Sequence, residues 1–238
     1  MTELISQIKI LFILTSASTM GVSDKPTGLW FEELATPYYA FLDTGASVTL
    51  ASIAGGPAPI DPRSVKPKGE NEASVDRFLG DEAASKALTE TLPLSAIDIS
   101  QYDAVFLPGG HGTMWDLPES AELAALLGKA WAQGKVVAAV CHGPAGLVNV
   151  MDETGTPLVK GRRVTGFSDS EERGAGLDEA VPFLLETRLR ELGGCYESIA
   201  DFQPFAIADG RLVTGQNPAS SAPTAKLTLE ALNGGETR

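Results

Sequence analysis

Histidine and cysteine are scarce in this chain, which contains two of each among its 238 residues. So few cysteines exclude a disulfide framework and are typical of a protein from a reducing compartment. Basic residues are also in the minority, with 18 lysines and arginines against 31 acidic residues and a formal net charge of −13. An acidic chain is repelled by nucleic acid and by anionic membrane surfaces. We therefore predict that neither nucleic acid nor a membrane is a partner.

Long apolar runs are lacking as well. The apolar run at 10–14 is too short for the core of a signal peptide, and Glu3 interrupts the basic region that should precede such a core. No run in the sequence has the length that a membrane-spanning helix needs. These features predict a cytoplasmic protein in which the run at 10–14 is the first buried strand.

What the chain does contain is a regular alternation of short apolar runs and helix-like segments. This pattern predicts a single α/β domain over residues 1–238, with a mostly parallel sheet between helices. The predicted strands are Lys9–Thr15, Ser47–Ser52, Ala104–Pro108, Lys135–Val140 and Arg162–Phe167. The predicted helices are one from Thr36-Pro37 to Asp43, one from Pro118 to Gly134, one over Asp178–Leu192 and one after Pro218, and Ala208–Arg211 is a predicted turn between two short strands.

The stretch from about residue 55 to residue 100 breaks this alternation. It is rich in proline, glycine and charge, and it contains one predicted helix, Asp81–Glu90, and no predicted strand. We interpret it as an insertion that forms a cap over a site or part of an interface. A plain surface excursion is the alternative.

Cys141 lies where the buried strand Lys135–Val140 gives way at once to a predicted helix. A residue on such a turn is held in strained backbone, and its side chain stands at the carboxyl edge of the sheet, where open α/β sheets bind ligands. The amino end of the helix is expected to lower the pKa of the thiol. We therefore predict that Cys141 is a nucleophile and that Cys195 is an inert core or surface residue.

Both histidines, His111 and His142, lie in glycine-rich turns that follow strands. Because no histidine follows His142, papain-like proteases, triad amidotransferases and α/β-hydrolases are poor matches. The spacing of the four cysteines and histidines matches no zinc pattern, so no metal is predicted. The backbone N–H groups of Gly110 and His142 are candidates for an oxyanion hole beside the cysteine, with His111 in the same substrate-binding loop.

Several blocks of sequence carry a family resemblance along most of the chain. They are Thr27–Tyr38, Tyr102–Thr113, Ala138–Pro144, Thr165–Asp169 and Thr214–Ser220. In this order the blocks resemble the ThiJ/PfpI superfamily, and within it the branch of stress chaperones and glutathione-independent type III glyoxalases. The resemblance implies a flavodoxin-like sheet between two layers of helices, usually in a homodimer.

The resemblance also implies a catalytic set made of Cys141, His142 and a glutamate from an early helix. That glutamate corresponds to Glu33, with Glu32 as its neighbour on another face. The implied reaction is the addition of the cysteine to the aldehyde of methylglyoxal or glyoxal. Proton transfer by the glutamate and histidine then yields a thioester, which water hydrolyses to a 2-hydroxy acid.

The acid that orients the histidine corresponds to Glu172 in this resemblance, and Glu171 and Asp169 are the alternatives nearby. Some relatives carry a metal in the inserted region, but this chain has no matching histidine cluster there, so neither a metal nor another cofactor is expected. The alternatives to a glyoxalase are a stress chaperone with Cys141 as its oxidation sensor, a protein deglycase, and a cysteine peptidase or amidase.

Overall fold

A seven-stranded sheet forms the centre of the computed structural model, which describes residues 7–234. Residues 1–6, including Glu3, and residues 235–238 lie outside the described part. The strands of this sheet are β1 (Lys9–Leu14), β2 (Ser47–Ser52), β3 (Leu92–Pro93), β4 (Ala104–Leu107), β5 (Val136–Val140), β8 (Ala206–Asp209) and β9 (Leu212–Gly215), and a separate parallel pair joins β6 (Arg163–Val164) to β7 (Cys195–Tyr196). The strand order in the sheet is β3-β2-β1-β4-β5-β9-β8, and β8 is antiparallel to β9 whereas the other neighbours are parallel.

Helices cover both faces of the sheet. They are α1 (Phe31–Leu42), α2 (Ala73–Leu79), α3 (Glu82–Thr89), α4 (Thr113–Asp116), α5 (Ala121–Ala132), α6 (Asp169–Ala175), α7 (Leu185–Glu191) and α8 (Ser221–Gly234). Alternate residues of β5 belong to two separate cores. Ala138 packs in the core beneath α1 and α8, and Ala139 packs in the core beneath α5. Because both faces of the strand are buried, its sequence is apolar throughout rather than alternating, and the predicted α/β sandwich is confirmed.

The predicted strands agree with the structure except for the last. Ser47–Ser52 has the predicted bounds, and the strands at 9–15, 104–108 and 135–140 are each one residue shorter. The prediction of a sheet strand over Arg162–Phe167 is wrong, because pairing stops at Val164 and occurs with β7 rather than with the main sheet. Beyond that point the Thr165 N–H donates to the Thr214 hydroxyl at 2.9 Å and the Phe167 N–H to the Cys141 carbonyl at 2.8 Å. These bonds draw residues 165–168 under the turn that holds the cysteine.

The first helix begins earlier than predicted. The Thr36-Pro37 signal is misleading because the Thr36 hydroxyl bonds to Ser74 Oγ at 2.7 Å instead of capping a helix. The helix starts at Phe31, and Pro37 lies inside it, where it donates no backbone hydrogen bond. This earlier start places both Glu32 and Glu33 in the first turn.

The remaining predicted helices are present, but they begin at other residues than predicted. Ser120 caps α5 by accepting from the Leu123 N–H at 3.1 Å, so the helix begins after Pro118 rather than at it. The prediction for Asp178–Leu192 is wrong in its first half, because Pro182 interrupts helical hydrogen bonding and α7 starts only at Leu185. The predicted turn between β8 and β9 and the predicted final helix are confirmed.

Residues 55–100 contain more regular structure than was predicted. They include the predicted helix, which is α3, and also α2 and the short strand β3, so the expectation of no strand in this segment is wrong. Strand β3 is only two residues long, and such a pairing leaves no periodic pattern in the sequence. Across residues 7–234, no helix combines the length and apolar character that crossing a bilayer requires.

Candidate active site

Cys141 stands on a sharp turn directly after β5. Its φ is 59°, in the left-handed region that residues other than glycine rarely adopt, and its side chain is buried. The backbone is held from two sides, because the Cys141 N–H donates to the Gly215 carbonyl at 2.9 Å and the Cys141 carbonyl accepts from Phe167. The segment that follows is a short 3₁₀-helix, Gly143–Leu147, rather than the predicted α-helix. The strained turn predicted from the sequence is therefore present.

Glycine is required beside this turn. A Cβ atom on Gly109, just after β4, would lie 2.6 Å from both Glu33 Oε2 and the His142 backbone nitrogen. The same residue donates its N–H to Glu33 Oε2 at 2.7 Å. Gly109 therefore brings the loop after β4, the amino end of α1 and the cysteine turn into direct contact.

His142 joins the cysteine to a carboxylate. Its Nδ1 is 3.3 Å from Cys141 Sγ, and its Nε2 is 2.7 Å from Glu172 Oε2. All three side chains are buried. Burial, followed by the neighbouring His111, lowers the pKa of His142 to about 4, so the ring is neutral at pH 7. The arrangement is a chain of thiol, imidazole and carboxylate.

The second histidine binds the same carboxylate. His111 Nε2 lies 2.8 Å from Glu172 Oε1, and its Nδ1 lies 3.3 Å from Arg63 Nη2. A guanidinium group only donates hydrogen bonds, so Nδ1 of His111 is the acceptor and its Nε2 carries the proton. Although burial opposes ionisation, the hydrogen bonds from His111 and His142 lower the pKa of Glu172 to about 2. Glu172 is therefore a carboxylate that accepts a hydrogen bond from each imidazole.

The two alternatives to Glu172 have other partners. Glu171 closes the capping box of α6: its carboxylate accepts from the Ser168 N–H at 2.9 Å, and it also accepts from Asn217 Nδ2 at 2.8 Å. Asp169 accepts from the Thr187 hydroxyl at the surface, at 2.6 Å. Of these three acidic residues, Glu172 alone reaches His142.

Glu33 is buried on the other side of the cysteine turn. Its Oε2 accepts from Gly109, and its Oε1 has no hydrogen-bond partner in residues 7–234. Burial raises the pKa of Glu33 well above its usual range, although contact with the Cys141 thiol and the Gly109 N–H opposes that shift. Burial therefore favours the protonated, neutral form of this carboxyl group.

The prediction that a helix terminus lowers the pKa of Cys141 is wrong. Burial raises that pKa, and the charge that Glu33 carries when ionised raises it further. A single short 3₁₀-helix provides little opposing dipole. The raised pKa favours the thiol form of the sulfur, and His142 Nδ1 is the nitrogen within hydrogen-bond reach of it, at 3.3 Å. Cys195, by contrast, is exposed.

The two candidate oxyanion donors, Gly110 and His142, line the same cavity as Cys141. In the described part of the chain, neither the Gly110 nor the His142 backbone N–H donates to a backbone carbonyl. The His142 N–H also favours the thiolate form of Cys141. Gly110 has a φ of 95°, and a side chain there would collide with the backbone of residues 28–30. The Gly110 N–H has no backbone acceptor within residues 7–234 and the His142 N–H faces the reactive sulfur, so both are placed to stabilise a developing negative charge.

The side chains that could hold a metal are His111, His142 and Glu172, whose ligand atoms lie within 4.8 Å of one another. The sequence spacing did not reveal this convergence. Each imidazole, however, uses its Nε2 proton to donate to Glu172. The set is complete as a hydrogen-bonded network, and a metal ion would have to replace both protons.

A cavity of about 190 Å³ opens onto the cysteine and both histidines. Its walls are mostly apolar, and the lining includes one arginine, Arg63. The lining consists of Trp30, Arg63, Gly110, His111, Cys141, His142, Phe167, Ala175, Phe202 and Pro218. The sequence alone did not identify Arg63, in the short 3₁₀-helix Pro62–Ser64, or Phe202, in a turn, because no motif surrounds either residue.

Comparison with known proteins places the chain in a family. A model described as the DJ-1/PfpI family matches residues 30–231. A glutathione-independent glyoxalase of Saccharomyces cerevisiae is 32% identical over 231 residues, covering 94% of this chain and 98% of that protein. Among solved structures, the 24 kDa rapid encystment protein of Francisella tularensis has a TM-score of 0.90 at 38% identity, covering 95% of this chain and 99% of its own. Glyoxalase III of Candida albicans has a TM-score of 0.84 at 33% identity, covering 94% and 97%.

Proposed function

This chain belongs to the DJ-1/PfpI family, and we propose that it is a glutathione-independent glyoxalase that converts methylglyoxal or glyoxal into a 2-hydroxy acid. Cys141 is the nucleophile in this proposal. The observation that carries it is the continuous chain from Cys141 Sγ through both nitrogens of His142 to Glu172, at 3.3 Å and 2.7 Å, facing an apolar cavity. The names of the relatives in yeast and Candida support the same activity.

In the first step the sulfur attacks the aldehyde carbon. As the S–C bond forms, the thiol proton passes to His142 Nδ1, and the carboxylate of Glu172 stabilises the resulting imidazolium. The aldehyde oxygen gains negative charge, which the N–H groups of Gly110 and His142 stabilise. His142 then returns its proton to that oxygen, and the product is a neutral hemithioacetal.

The second step moves hydrogen from the former aldehyde carbon to the neighbouring carbon. His142 removes the C–H proton while Glu33 donates its proton to the ketone oxygen, which forms an enediol. The hydroxyl on the sulfur-bearing carbon then returns a proton to Glu33, and His142 delivers its proton to the second carbon. One carbon is oxidised and its neighbour reduced, so no external electron acceptor is needed. Water hydrolyses the thioester and restores the thiol.

The direct test is purified protein with methylglyoxal and no glutathione, with D- and L-lactate assayed enzymatically. We expect lactate to accumulate in proportion to protein concentration, against a control of heat-denatured protein. Loss of methylglyoxal without lactate would contradict the proposal and would favour simple adduct formation with the protein.

The dependence of kcat/KM on pH should reflect the two buried acid–base groups. His142 must be neutral to accept the thiol proton, and because its pKa is lowered to about 4, activity should persist well below pH 6. Glu33 must be protonated, and because burial raises its pKa, activity should be lost only on the alkaline side, where the carboxyl group ionises. Initial rates of lactate formation between pH 4 and pH 10 measure both limbs. An acid limb near pH 6.5, the usual value for histidine, would contradict the assigned role of His142.

Three further features belong to the proposal: a cap over the site, a homodimer and a cytoplasmic location. We propose that residues 55–100 form a cap over the site, supported by the position of Arg63 on the cavity wall and by its 2.6 Å ion pair with buried Asp61. The resemblance to the superfamily supports a homodimer, and two free cysteines support a reducing cytoplasm. Light scattering of the purified protein would measure the mass in solution.

A further inference from the structure

Two strained residues border the same cavity. In residues 7–234 only Cys141 and Phe202 combine a side chain with a positive φ, 59° in each case. Both line the cavity at the candidate active site. A bulky residue in this region of backbone space costs free energy, and such residues concentrate at functional sites. The strained backbone at Cys141 directs its sulfur into the cavity, and the strained backbone at Phe202 requires a separate explanation.

A buried carboxylate holds Phe202 in this conformation. The Phe202 N–H donates to Glu171 Oε1 at 2.7 Å, and the same oxygen accepts from Asn217 Nδ2 at 2.8 Å. Glu171 is fully buried and is the sequence neighbour of Glu172. The contact that fixes the Phe202 backbone therefore comes from the same turn of α6 as the contact to His142. The position of the Phe202 ring is tied to the position of the catalytic chain.

Burial of its ring does not explain the strained position of Phe202. The residue is 51% exposed, so the ring keeps much of its surface in water. Its centroid lies 6.2 Å from that of Phe167, and the Phe167 ring lies 4.4 Å from the His142 ring. An aromatic surface thus extends from the catalytic imidazole to the rim of the cavity. Exposed aromatic area beside a reactive group is suited to contact a ligand.

The cavity has little free charge with which to attract a charged ligand. Arg63 is bound to Asp61 through two nitrogen–oxygen contacts, Nε to Oδ1 at 2.9 Å and Nη2 to Oδ2 at 2.6 Å. Its charge is therefore balanced within the protein, and it offers little attraction to a charged substrate. Methylglyoxal carries only a methyl group beyond its carbonyls, which leaves the aromatic surface largely unused. The walls fit a larger, flat and uncharged substituent.

We propose that Phe202 determines substrate preference and that the preferred substrates are 2-oxoaldehydes with a flat apolar substituent on the ketone carbon. This inference rests on the proposed glyoxalase function. The probe is phenylglyoxal, whose phenyl ring takes the place of the methyl group of methylglyoxal. The same internal transfer then adds one water and gives mandelate, with the aldehyde carbon oxidised and the ketone carbon reduced.

The experiment compares kcat/KM for phenylglyoxal, methylglyoxal and glyoxal in four proteins. These are the parent, Phe202→Ala, Phe202→Gly and Ile199→Ala, the last an exposed apolar residue outside the cavity lining. Phe202→Gly removes the ring and also relieves the positive φ, so it separates loss of the ring from damage to the fold. Thermal melting of each variant reports on the fold.

We expect the parent to prefer phenylglyoxal over glyoxal. Both Phe202 variants should lose about tenfold or more in kcat/KM for phenylglyoxal, and less than about twofold for glyoxal, while Ile199→Ala stays like the parent. If all three aldehydes are converted but the ratios do not change in the Phe202 variants, the inference is overturned and the proposed function stands. If no 2-hydroxy acid forms from any of the aldehydes, the proposed function itself fails.

Discussion

Cys141→Ala should make no lactate from methylglyoxal above the background of the buffer, a loss of more than about a thousandfold. Alanine fits the space because Cys141 is buried among apolar residues and its backbone turn is held by bonds to Gly215 and Phe167. The rest of the site stays in place. Without the sulfur, no covalent adduct forms, and an isolated histidine cannot move protons between the two carbons of a free aldehyde at a comparable rate. Lactate formation over hours with concentrated protein measures any residual activity of the variant.

The matched control is Cys195→Ala. This second cysteine is exposed on the small β6–β7 pair and has no place in the site, so its removal should leave the rate unchanged. Circular dichroism and thermal melting should show that both variants remain folded. If Cys141→Ala retained more than a few per cent of the parent rate, the sulfur would not be the nucleophile.

Glu33→Gln should lower kcat by about a hundred- to ten-thousandfold, the usual range for a lost acid–base catalyst. Glutamine has nearly the same shape and keeps an oxygen to accept from the Gly109 N–H, so the 2.7 Å contact should survive. Its amide cannot, however, transfer a proton to the ketone oxygen as a carboxylic acid does. We expect KM to change little, because the substitution affects a proton transfer rather than the cavity walls.

Glu32→Gln is the matched control for Glu33→Gln. Glu32 is the neighbouring residue on α1, and burial together with the nearby charge of Glu72 raises its pKa to about 7. Within residues 7–234 it forms no hydrogen bond to the Gly109 loop or to the cysteine turn, whereas Glu33 accepts from the Gly109 N–H. Its substitution should change kcat less than about threefold. Equal, small losses in both variants would leave the hydrogen transfer without the acid that we assign to it.

The fold could be predicted from the sequence because buried parallel strands have a strong signature. β5 is apolar on both faces, and the strands β1 and β4 have comparable runs. Helix starts were predicted less well, because local signals compete with tertiary contacts. Thr36 bonds to Ser74 rather than capping a helix, and Phe31 buries its ring at the point where α1 begins.

The candidate site was only partly accessible from the sequence. The turn at Cys141 has a local cause, so its strain could be expected from a strand that ends in a glycine-rich segment. The choice of Glu172 over Glu171 depends on the rotation of α6, since consecutive residues on a helix point about 100° apart. Arg63 reaches the cavity from a short 3₁₀-helix and Phe202 from a turn, and only tertiary structure brings these segments there. The raised pKa of Cys141 likewise reflects burial, which a motif does not reveal.

The most direct measurement traps the intermediate on Cys141. Parent enzyme is mixed with methylglyoxal, quenched in acid within the first turnovers and digested, and the masses of the two cysteine peptides are measured before and after neutral hydroxylamine. We predict one added methylglyoxal mass on the peptide that contains Cys141, none on that of Cys195, and release of the adduct as lactohydroxamate, because only a thioester reacts in this way. Lactate formed at the full rate with no hydroxylamine-sensitive adduct on Cys141 would contradict the account.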